Sequence, residues 1–232
     1  MQHHMNTKQF FHITLAISIL VQILTGMIDL GAIFVQVPPM YYIIKQLLTL
    51  ELLVQFFEGM FYVWLAFNYT KILNVTPNRY MDWVITTPSM LITLMIYLIF
   101  LKKKVENKMN ELDFFTLLKD NSKTIIPVVL LNWVMLLFGY LGEMKMIPVL
   151  LGVILGFIPF LIYYYIIYVN YVTDNSRSGY LLFWYFFFFW SLYGVVAMLP
   201  YYLKNAFYNV LDLFAKNFFG LFLSYIVISG NY

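Results

Sequence analysis

The sequence predicts an all-α fold, a bundle of seven helices that each cross a lipid bilayer. Of its 232 residues, 62% are hydrophobic and only 11% are charged, whereas a soluble domain carries roughly 25% charged residues. Too few polar side chains are available to cover a surface of this size, so much of it must face lipid. The sequence also divides into seven apolar segments, each about long enough for the roughly 20 residues that cross a bilayer as a helix.

The apolar segments follow one another along the chain at residues 10–30, 40–69, 79–101, 124–142, 146–171, 180–200 and 203–228. Lipid offers the backbone no hydrogen bonds, so each segment is expected to be a helix, and the alternating pattern of a β-barrel is absent. A pair of prolines separates the first two segments, Pro77 precedes the third, Gly142 ends the fourth, and Pro200 precedes the seventh. We expect the whole chain, residues 1–232, to form one membrane domain.

Only one break between the segments is long. It covers residues 102–123, contains six lysines and is expected to be a solvated loop. Loops rich in lysine and arginine stay on the cytoplasmic side of a membrane, and Arg177, between the fifth and sixth segments, falls on the same side. With seven spans, the amino terminus is therefore expected outside the cell and the carboxyl terminus in the cytoplasm.

Composition argues against several classes of protein. The chain has no cysteine, which excludes disulfides and thiolate metal sites, and its net charge of +3 is too small and too scattered to indicate a nucleic-acid partner. The sequence has no phosphate-binding loop, nucleophile–base arrangement or metal-ligand cluster. His3, His4 and His12 lie near the amino terminus, where histidines are more often surface residues than ligands. We therefore expect neither an enzyme nor a metal site.

Six ionisable residues lie well inside the predicted helices: Glu51, Glu58, Arg79, Asp82, Asp212 and Lys216. A charge at that depth costs several kcal/mol, so each is expected to be functional and to have a nearby partner. Asp212 and Lys216 are four residues apart and share one face of a helix. A polar stripe along the third helix is formed by Arg79, Asp82, Thr86 and Thr93.

The residues around Lys216 suit a covalent imine. A buried amine beside two carboxylates and an arginine can form one, because the carboxylates stabilise the cation that the imine proton creates. Two aspartates around one cation leave excess negative charge, which Arg79 offsets, so the formal charges cancel. The plainer alternative, a helix-end residue that reaches the membrane surface, suits Arg79 but not Lys216, which is flanked by apolar residues.

Two sequence motifs resemble the signatures of the microbial rhodopsins. The run RYMDWVITTP at residues 79–88 resembles their third-helix signature, and VLDLFAK at residues 210–216 resembles their seventh-helix signature. GYLGE at residues 139–143, together with Trp190 and Tyr193, extends the match over essentially the whole chain. The resemblance implies a seven-helix bundle of the microbial rhodopsin type.

The same resemblance implies all-trans retinal bound covalently to Lys216 as a Schiff base. Asp82 and Asp212 would then be its counterions, and Asp82 the primary proton acceptor. The polyene is expected to be lined by Trp83, Thr87, Trp190 and Tyr193. Ordinary aromatic packing remains the competing interpretation for Trp190 and Tyr193 taken alone, since the chain has 23 Phe and 20 Tyr.

Several positions bear on colour and on pumping. Met90 stands at the family's main colour-tuning position, where an apolar residue implies green rather than blue absorption. Thr93 replaces the carboxylate that proton pumps usually carry there, and threonine cannot deliver a proton at neutral pH. Gly194 replaces a common proline and Ala197 a usual pocket tryptophan, so we expect a looser pocket.

The second helix carries the features that favour a channel. Glu51, Gln55, Glu58 and Tyr62 step by four, three and four residues and share one helical face. This row of glutamates resembles that of the channelrhodopsins, in which a serine, a glutamate and an asparagine meet beside the Schiff base as a gate. The matching residues here are Ser18, Glu58 and Asn217, and Asn209 extends the polar face of the seventh helix.

The sequence also resembles the rhodopsins of large algal and protist viruses. The resemblance lies in the run ELLVQFFEG at residues 51–59 and in Lys216-Asn217. One group of those is described as light-gated cation channels and another as pump-like. The second-helix glutamates and Asn217 favour the channel group. Carboxylates replace part of the hydration of a cation and repel anions, as they do in cation channels generally.

The favoured function is a light-gated channel for small monovalent cations, including protons. One alternative is a light-driven outward proton pump, in which Asp82 accepts the proton and Glu51 supplies one in place of Thr93. In a third interpretation, both glutamates are protonated bridges between helices. A sensory photoreceptor is the alternative from another class, and we expect no attached signalling domain. The expected partners are the lipid bilayer, cations and protons, and the chain is a candidate homo-oligomer.

Overall fold

A computed structural model describes residues 6–110 and 112–232. His3 and His4 lie outside the described residues. Seven helices are long and apolar enough to cross a membrane, at Thr7–Ile33, Pro39–Asn68, Thr76–Val105, Ser122–Glu143, Val149–Val172, Arg177–Val196 and Tyr201–Ser229. The described residues contain no strand, so the predicted all-α bundle of seven spans is confirmed.

The third span begins earlier than the sequence suggests. Pro77 does not form a break but lies in the first turn of a helix that starts at Thr76. Proline is tolerated there because the amide nitrogens of a first turn have no partner inside the helix. Arg79 is therefore one turn inside the helix, and its side chain is fully buried. The interpretation of Arg79 as a residue that reaches the membrane surface is wrong.

The expectation of one continuous loop at residues 102–123 is also wrong. Lys102, Lys103 and Lys104 form the last turn of the third span, where lysine favours helix and its cation is stabilised by the helix dipole. A short helix follows at Phe114–Asp120. It begins where the Asp113 carboxylate accepts a hydrogen bond from the Thr116 backbone nitrogen at 3.0 Å, and this bond lowers the pKa of Asp113.

The third and seventh spans are the inner helices of the bundle. In their apolar windows, 72% and 61% of the residues are buried, against 28% in the first and fourth spans. The first span instead exposes one face of large apolar side chains, among them Ile17, Leu20, Leu24 and Met27. An exposed apolar face of this kind is suited to contact with lipid chains. The buried polar residues of the third and seventh spans therefore point at one another rather than outward.

The fourth and fifth spans pack closely through glycines. A Cβ atom added at Gly152 would lie 2.8 Å from the backbone oxygen of Phe138 and 3.3 Å from the Cα of Gly142. Contacts this short leave no room for a side chain. The two backbones can approach each other because neither carries one at this point.

The seventh span is interrupted by a π-helical turn. It is α-helical over Tyr201–Asp212, π-helical over Leu213–Asn217 and α-helical again over Phe218–Ser229. A wider turn leaves backbone groups without their usual helical partners, and such turns are frequent at functional sites. The Tyr185 hydroxyl of the sixth span donates a hydrogen bond to the Phe214 carbonyl at 2.7 Å. Lys216 lies within this turn.

Candidate functional site

The side-chain nitrogen of Lys216 lies at the centre of the bundle and is surrounded by carboxylates. The residue is 2% exposed. Its Nζ forms an ion pair with Asp82 and lies 3.8 Å from Oδ1 of Asp212 and 3.7 Å from Oε2 of Glu58. These three acids come from the third, seventh and second spans. The structure therefore brings together the predicted amine, both predicted aspartates and Glu58, the glutamate expected beside the Schiff base.

Asp212 is held in position by donors on both of its oxygens. The Tyr62 hydroxyl donates to Oδ2 at 2.6 Å, and the Tyr193 hydroxyl donates to Oδ1 at 2.6 Å. Nη1 of Arg79 also lies 3.6 Å from Oδ2. Hydrogen bonds to an ionised acceptor are about twice as strong as neutral ones. Asp212 is thus fixed in position beside Lys216.

Arg79 closes the site on the amino-terminal side. Its Nε donates to the side-chain oxygen of Asn205 at 2.9 Å, and its Nη2 donates to that of Asn209 at 2.7 Å. The guanidinium also lies over the rings of Phe61 and Tyr208, each 5.5 Å from its centroid. These neutral hydrogen-bond acceptors and aromatic rings stabilise the guanidinium, but they do not neutralise its positive charge.

The balance of formal charge at the site depends on Glu58. Arg79 and Lys216 supply two positive charges, and Asp82 and Asp212 supply two negative charges when ionised. Glu58 is a third acid next to Lys216. The expected cancellation counted only the two aspartates and stays a prediction.

A cavity next to Lys216 fits an elongated apolar group. Lys216 lies on its wall, and most of the other lining residues are aromatic or aliphatic. The four residues expected to line a polyene, Trp83, Thr87, Trp190 and Tyr193, all line the cavity, and so does Met90 at the expected colour-tuning position. Trp83 meets Tyr193 edge to face, with ring centroids 5.5 Å apart. The indole nitrogen of Trp190 is buried and has no hydrogen-bond partner among the described residues.

The cavity is tighter at Gly194 than expected. A Cβ atom there would lie 2.6 Å from Cε2 of Phe157. The Phe157 ring of the fifth span therefore occupies the space that the missing side chain would leave, and the expected looseness is wrong at this position. Ala197 also lines the cavity, and the expectation for it stays a prediction.

The hydroxyls of three threonines on the third span donate hydrogen bonds to backbone carbonyls of the same helix. Thr86 donates to the carbonyl of Asp82 at 2.9 Å, and Thr93 donates to that of Ser89 at 3.0 Å. Thr87 donates to the Trp83 carbonyl at 2.6 Å and accepts from Asn132 at 2.8 Å. Their hydroxyl protons are therefore engaged within the helix, and the oxygen of Thr87 is engaged by the fourth span.

The three residues expected to form a gate do not bond to one another. Among the described residues, Ser18 donates to the Asn209 carbonyl at 3.3 Å, and the Asn217 amide donates to the Thr25 hydroxyl at 2.9 Å. These bonds tie the first span to the seventh on both sides of Lys216. Glu58 instead faces Lys216. The expected three-residue contact is replaced by two bonds between helices and one ion pair.

The two glutamates of the second span are fully buried and poorly satisfied. Both are 0% exposed, and none of their four carboxylate oxygens has a hydrogen-bond partner in the described structure. Glu51 lies beside Thr93 of the third span and near Asp29 of the first. A buried polar group without a partner requires an explanation beyond packing.

Two residues of the site are not singled out by the sequence pattern. Asp29 is 0% exposed, but it lies next to the predicted end of the first segment, where an acid is interpreted as interfacial. Asn205 accepts a hydrogen bond from Arg79, and a single asparagine near the start of a helix does not indicate such a role. Tyr62 lies on the predicted polar face of the second helix with Glu58, but the sequence does not indicate its hydrogen bond to Asp212.

The family model of bacteriorhodopsin-like proteins matches residues 12–230. No curated protein matches this chain significantly.

Solved structures share the fold over nearly their whole length. The viral rhodopsin OLPVRII is 28% identical, with a TM-score of 0.76, and the match covers 96% of this chain and 98% of that one. Xanthorhodopsin, described as a light-driven ion pump with dual chromophore, is 17% identical, with a TM-score of 0.71 and coverages of 97% and 94%. The proton-pumping rhodopsin AR2 from the marine alga Acetabularia acetabulum is 19% identical, with a TM-score of 0.65 and coverages of 97% and 95%.

The family match and the site agree with each other. Rhodopsins of this family carry retinal on a lysine, and Lys216 provides a buried amine at the wall of an apolar cavity. The seven apolar helices make the chain an integral, multi-pass membrane protein. With the family model matching residues 12–230, this chain belongs to the bacteriorhodopsin-like family, the microbial rhodopsins.

Proposed function

We propose that this protein is a light-gated channel for small monovalent cations, including protons, with retinal bound to Lys216. The observation that carries the proposal is the pair of fully buried glutamates of the second span, whose carboxylate oxygens have no hydrogen-bond partner among the described residues. Such oxygens are suited to replace the hydration of a passing cation. In a helix that served only for packing, they would be destabilising.

A row of buried polar side chains supports a path past Lys216. On the amino-terminal side it consists of Arg79 with Asn205 and Asn209, and on the other side of Glu58 and Glu51. The row lies between the first, second, third and seventh spans. No comparable row of charged groups runs along the described fourth, fifth and sixth spans.

The residues around the cavity fit retinal. Trp83, Trp190 and Tyr193 would hold its flat conjugated chain, and Lys216 would bind its end covalently. When bound, retinal supplies the absorption of visible light and a change of shape on isomerisation. Asp82 and Asp212 would stabilise the positive charge at the Lys216 nitrogen, since opposite charges within a few ångströms favour the charged form.

The proposed opening begins with the proton on Nζ of Lys216. Asp82 is its acceptor, because it forms the closest ion pair with that nitrogen. Once the proton has moved, Lys216 no longer attracts Glu58, 3.7 Å away. Glu58 is then free to turn along the second span toward Glu51. Arg79 remains fixed by Asn205 and Asn209 and stays within 3.6 Å of Asp212.

An outward proton pump is the second candidate, and the position of Glu51 favours it. Glu51 lies beside Thr93, the position at which Thr93 itself cannot donate a proton. From there it could return a proton to Lys216 after Asp82 has released one outward. Xanthorhodopsin and AR2, both similar in fold, are described as pumps.

The proposal includes an orientation in the membrane and the partners that follow from it. The lysines at the end of the third span support a cytoplasmic position for the carboxyl-terminal side. The amino terminus is then outside. The partners are the lipid bilayer, small cations and protons, with a homo-oligomer as the assembled form.

Ion flux into liposomes tests the proposal. The purified protein, supplied with all-trans retinal, is reconstituted with a sodium or proton gradient imposed in either direction. For a channel, we expect the light-driven flux to follow the gradient and to reverse when the gradient is reversed. A flux that keeps its direction against both gradients would establish a pump, and Glu51 would become the donor. If illumination produces no ion flux, the sensory photoreceptor remains as the candidate function.

A further inference from the structure

Asp29 joins three helices on the carboxyl-terminal side of the site. Its Oδ1 accepts a hydrogen bond from the Ser224 hydroxyl at 2.6 Å, and its Oδ2 accepts one from the side-chain amide of Gln55. These residues belong to the first, seventh and second spans. All three are buried, and Asp29 and Ser224 are 0% exposed. We call this cluster of Asp29, Gln55 and Ser224 the latch.

Packing alone does not explain an acid at this position. Among residues 6–110 and 112–232, no lysine or arginine forms an ion pair with Asp29. Its bonding partners are neutral, and an intramembrane acid with neutral partners is costly compared with an apolar residue. An acid held in such a place is by default a functional residue.

Gly220 shows that the latch is closely built. A Cβ atom at Gly220 would overlap both the Gln55 amide nitrogen and Oδ2 of Asp29. The backbone of the seventh span therefore touches the bond between Asp29 and Gln55 directly. A movement of the seventh span toward the second and first spans at this height would displace that bond.

The latch lies on the proposed ion path and beside unsatisfied groups. Ser224 is eight residues beyond Lys216, about 12 Å along the helix axis. Gln55 lies one turn from Glu51 on the same face, and Oε1 of Gln55 is buried without a hydrogen-bond partner, as are both carboxylate oxygens of Glu51. Glu51 itself lies near Asp29. These oxygens form a second group of cation-attracting atoms, separate from the one around Lys216.

We propose that the latch is a closure of the ion path between Lys216 and the carboxyl-terminal side, and that Asp29 is its cation-selecting residue. In the dark, Gln55 and Ser224 occupy the oxygens of Asp29 and hold the first, second and seventh spans together. When the seventh span moves, the bonds break, and the oxygens of Asp29 and Glu51 face a passing monovalent cation. This inference rests on the proposed channel function and adds a second point of control to it.

Two variants test the latch in voltage-clamped cells supplied with retinal. Ser224→Ala removes one bond and keeps the charge of Asp29, so we expect the photocurrent to close about threefold to tenfold more slowly, the range that corresponds to losing one hydrogen bond. Asp29→Asn removes the charge and should shift the reversal potential in mixed sodium and proton solutions. Ser229→Ala, at an exposed position of the same helix, is the control and should change neither quantity.

A second measurement separates the latch from the channel. Hydrogen–deuterium exchange is measured on the purified protein in the dark, with and without retinal. Ser224→Ala should raise exchange in Phe218–Ser229 above that of the parent and of Ser229→Ala, whether or not the protein conducts. Equal exchange and equal closing rates in both serine variants would overturn the latch and leave the channel standing. A parent current that never reverses would overturn the channel, while raised exchange would still support the latch as a contact that seals the bundle.

Discussion

At the scale of single residues, the site is organised around one amine and three acids. Asp82 forms the closest pair with Lys216, Asp212 is fixed by two tyrosines and an arginine, and Glu58 approaches without any hydrogen bond. The three acids therefore differ in how freely they can move. Asp212 is held most firmly, and Glu58 is the one that can turn away.

Lys216→Ala removes the amine at the wall of the cavity. We expect the retinal-supplied variant to lack the visible absorption band, because no other described amine lines the cavity. Lys123→Ala, on an exposed part of the chain, is the control and should keep the band. The absorption spectrum of each purified protein is the measurement. A coloured Lys216→Ala protein would defeat the assignment.

Glu58→Gln removes a charge at nearly constant shape. Because Glu58 lies 3.7 Å from Lys216, we expect the photocurrent to fall about tenfold, which corresponds to about 1.4 kcal/mol. Met60→Leu, on the exposed face of the same helix, should leave the current unchanged. Currents are compared at equal amounts of coloured protein. An unchanged current and selectivity in Glu58→Gln would remove Glu58 from the gate.

At the scale of helices, two features depend on contacts that are distant in the sequence. The π-helical turn at Leu213–Asn217 lies in a run whose residue types are ordinary for a helix. Tyr185, from another span, occupies one of its carbonyls, and spacing along one helix contains no sign of this bond. The starts of helices are more predictable, since Pro77 and Pro200 stand beside two of them, although the sequence alone mistook the first for a break.

Gly152→Ala tests the close packing of the fourth and fifth spans. The added methyl group would lie 2.8 Å from the Phe138 carbonyl oxygen, and overpacking of this kind costs about 1–3 kcal/mol. We expect a lower temperature of half-loss of the visible band on heating in detergent. Gly31→Ala is the matched control, since nothing lies within 4 Å of its added Cβ. If both variants lose the visible band at the same temperature as the parent, the glycines do not determine how closely the fourth and fifth spans pack.

At the scale of the whole molecule, the fold could be predicted almost completely and the site in part. Seven long apolar runs leave few alternatives in lipid, so all seven spans were predictable. Asp82, Asp212 and Lys216 could be placed together because motifs on two helices mark them. Asp29 could not, since an acid near a helix end has an ordinary explanation, and only the fold shows that Gln55 and Ser224 converge on it.

The orientation of the molecule is a prediction at this scale. The chain has no cysteine, so a cysteine introduced at the exposed Lys108 or Met146 is its only thiol. An impermeant maleimide added to intact cells should label Met146→Cys and spare Lys108→Cys, because these positions lie on opposite ends of the bundle. The reverse pattern would invert the proposed topology and the direction of ion flow.

The most direct test of the central claim is the photocurrent under voltage clamp, recorded across membrane potentials in cells supplied with retinal. The row of buried polar groups past Lys216 is proposed to conduct passively. We therefore expect a current that reverses sign near the cation equilibrium potential and moves with it when external sodium or pH is changed. A current that stays outward at every potential would contradict the channel and establish active transport.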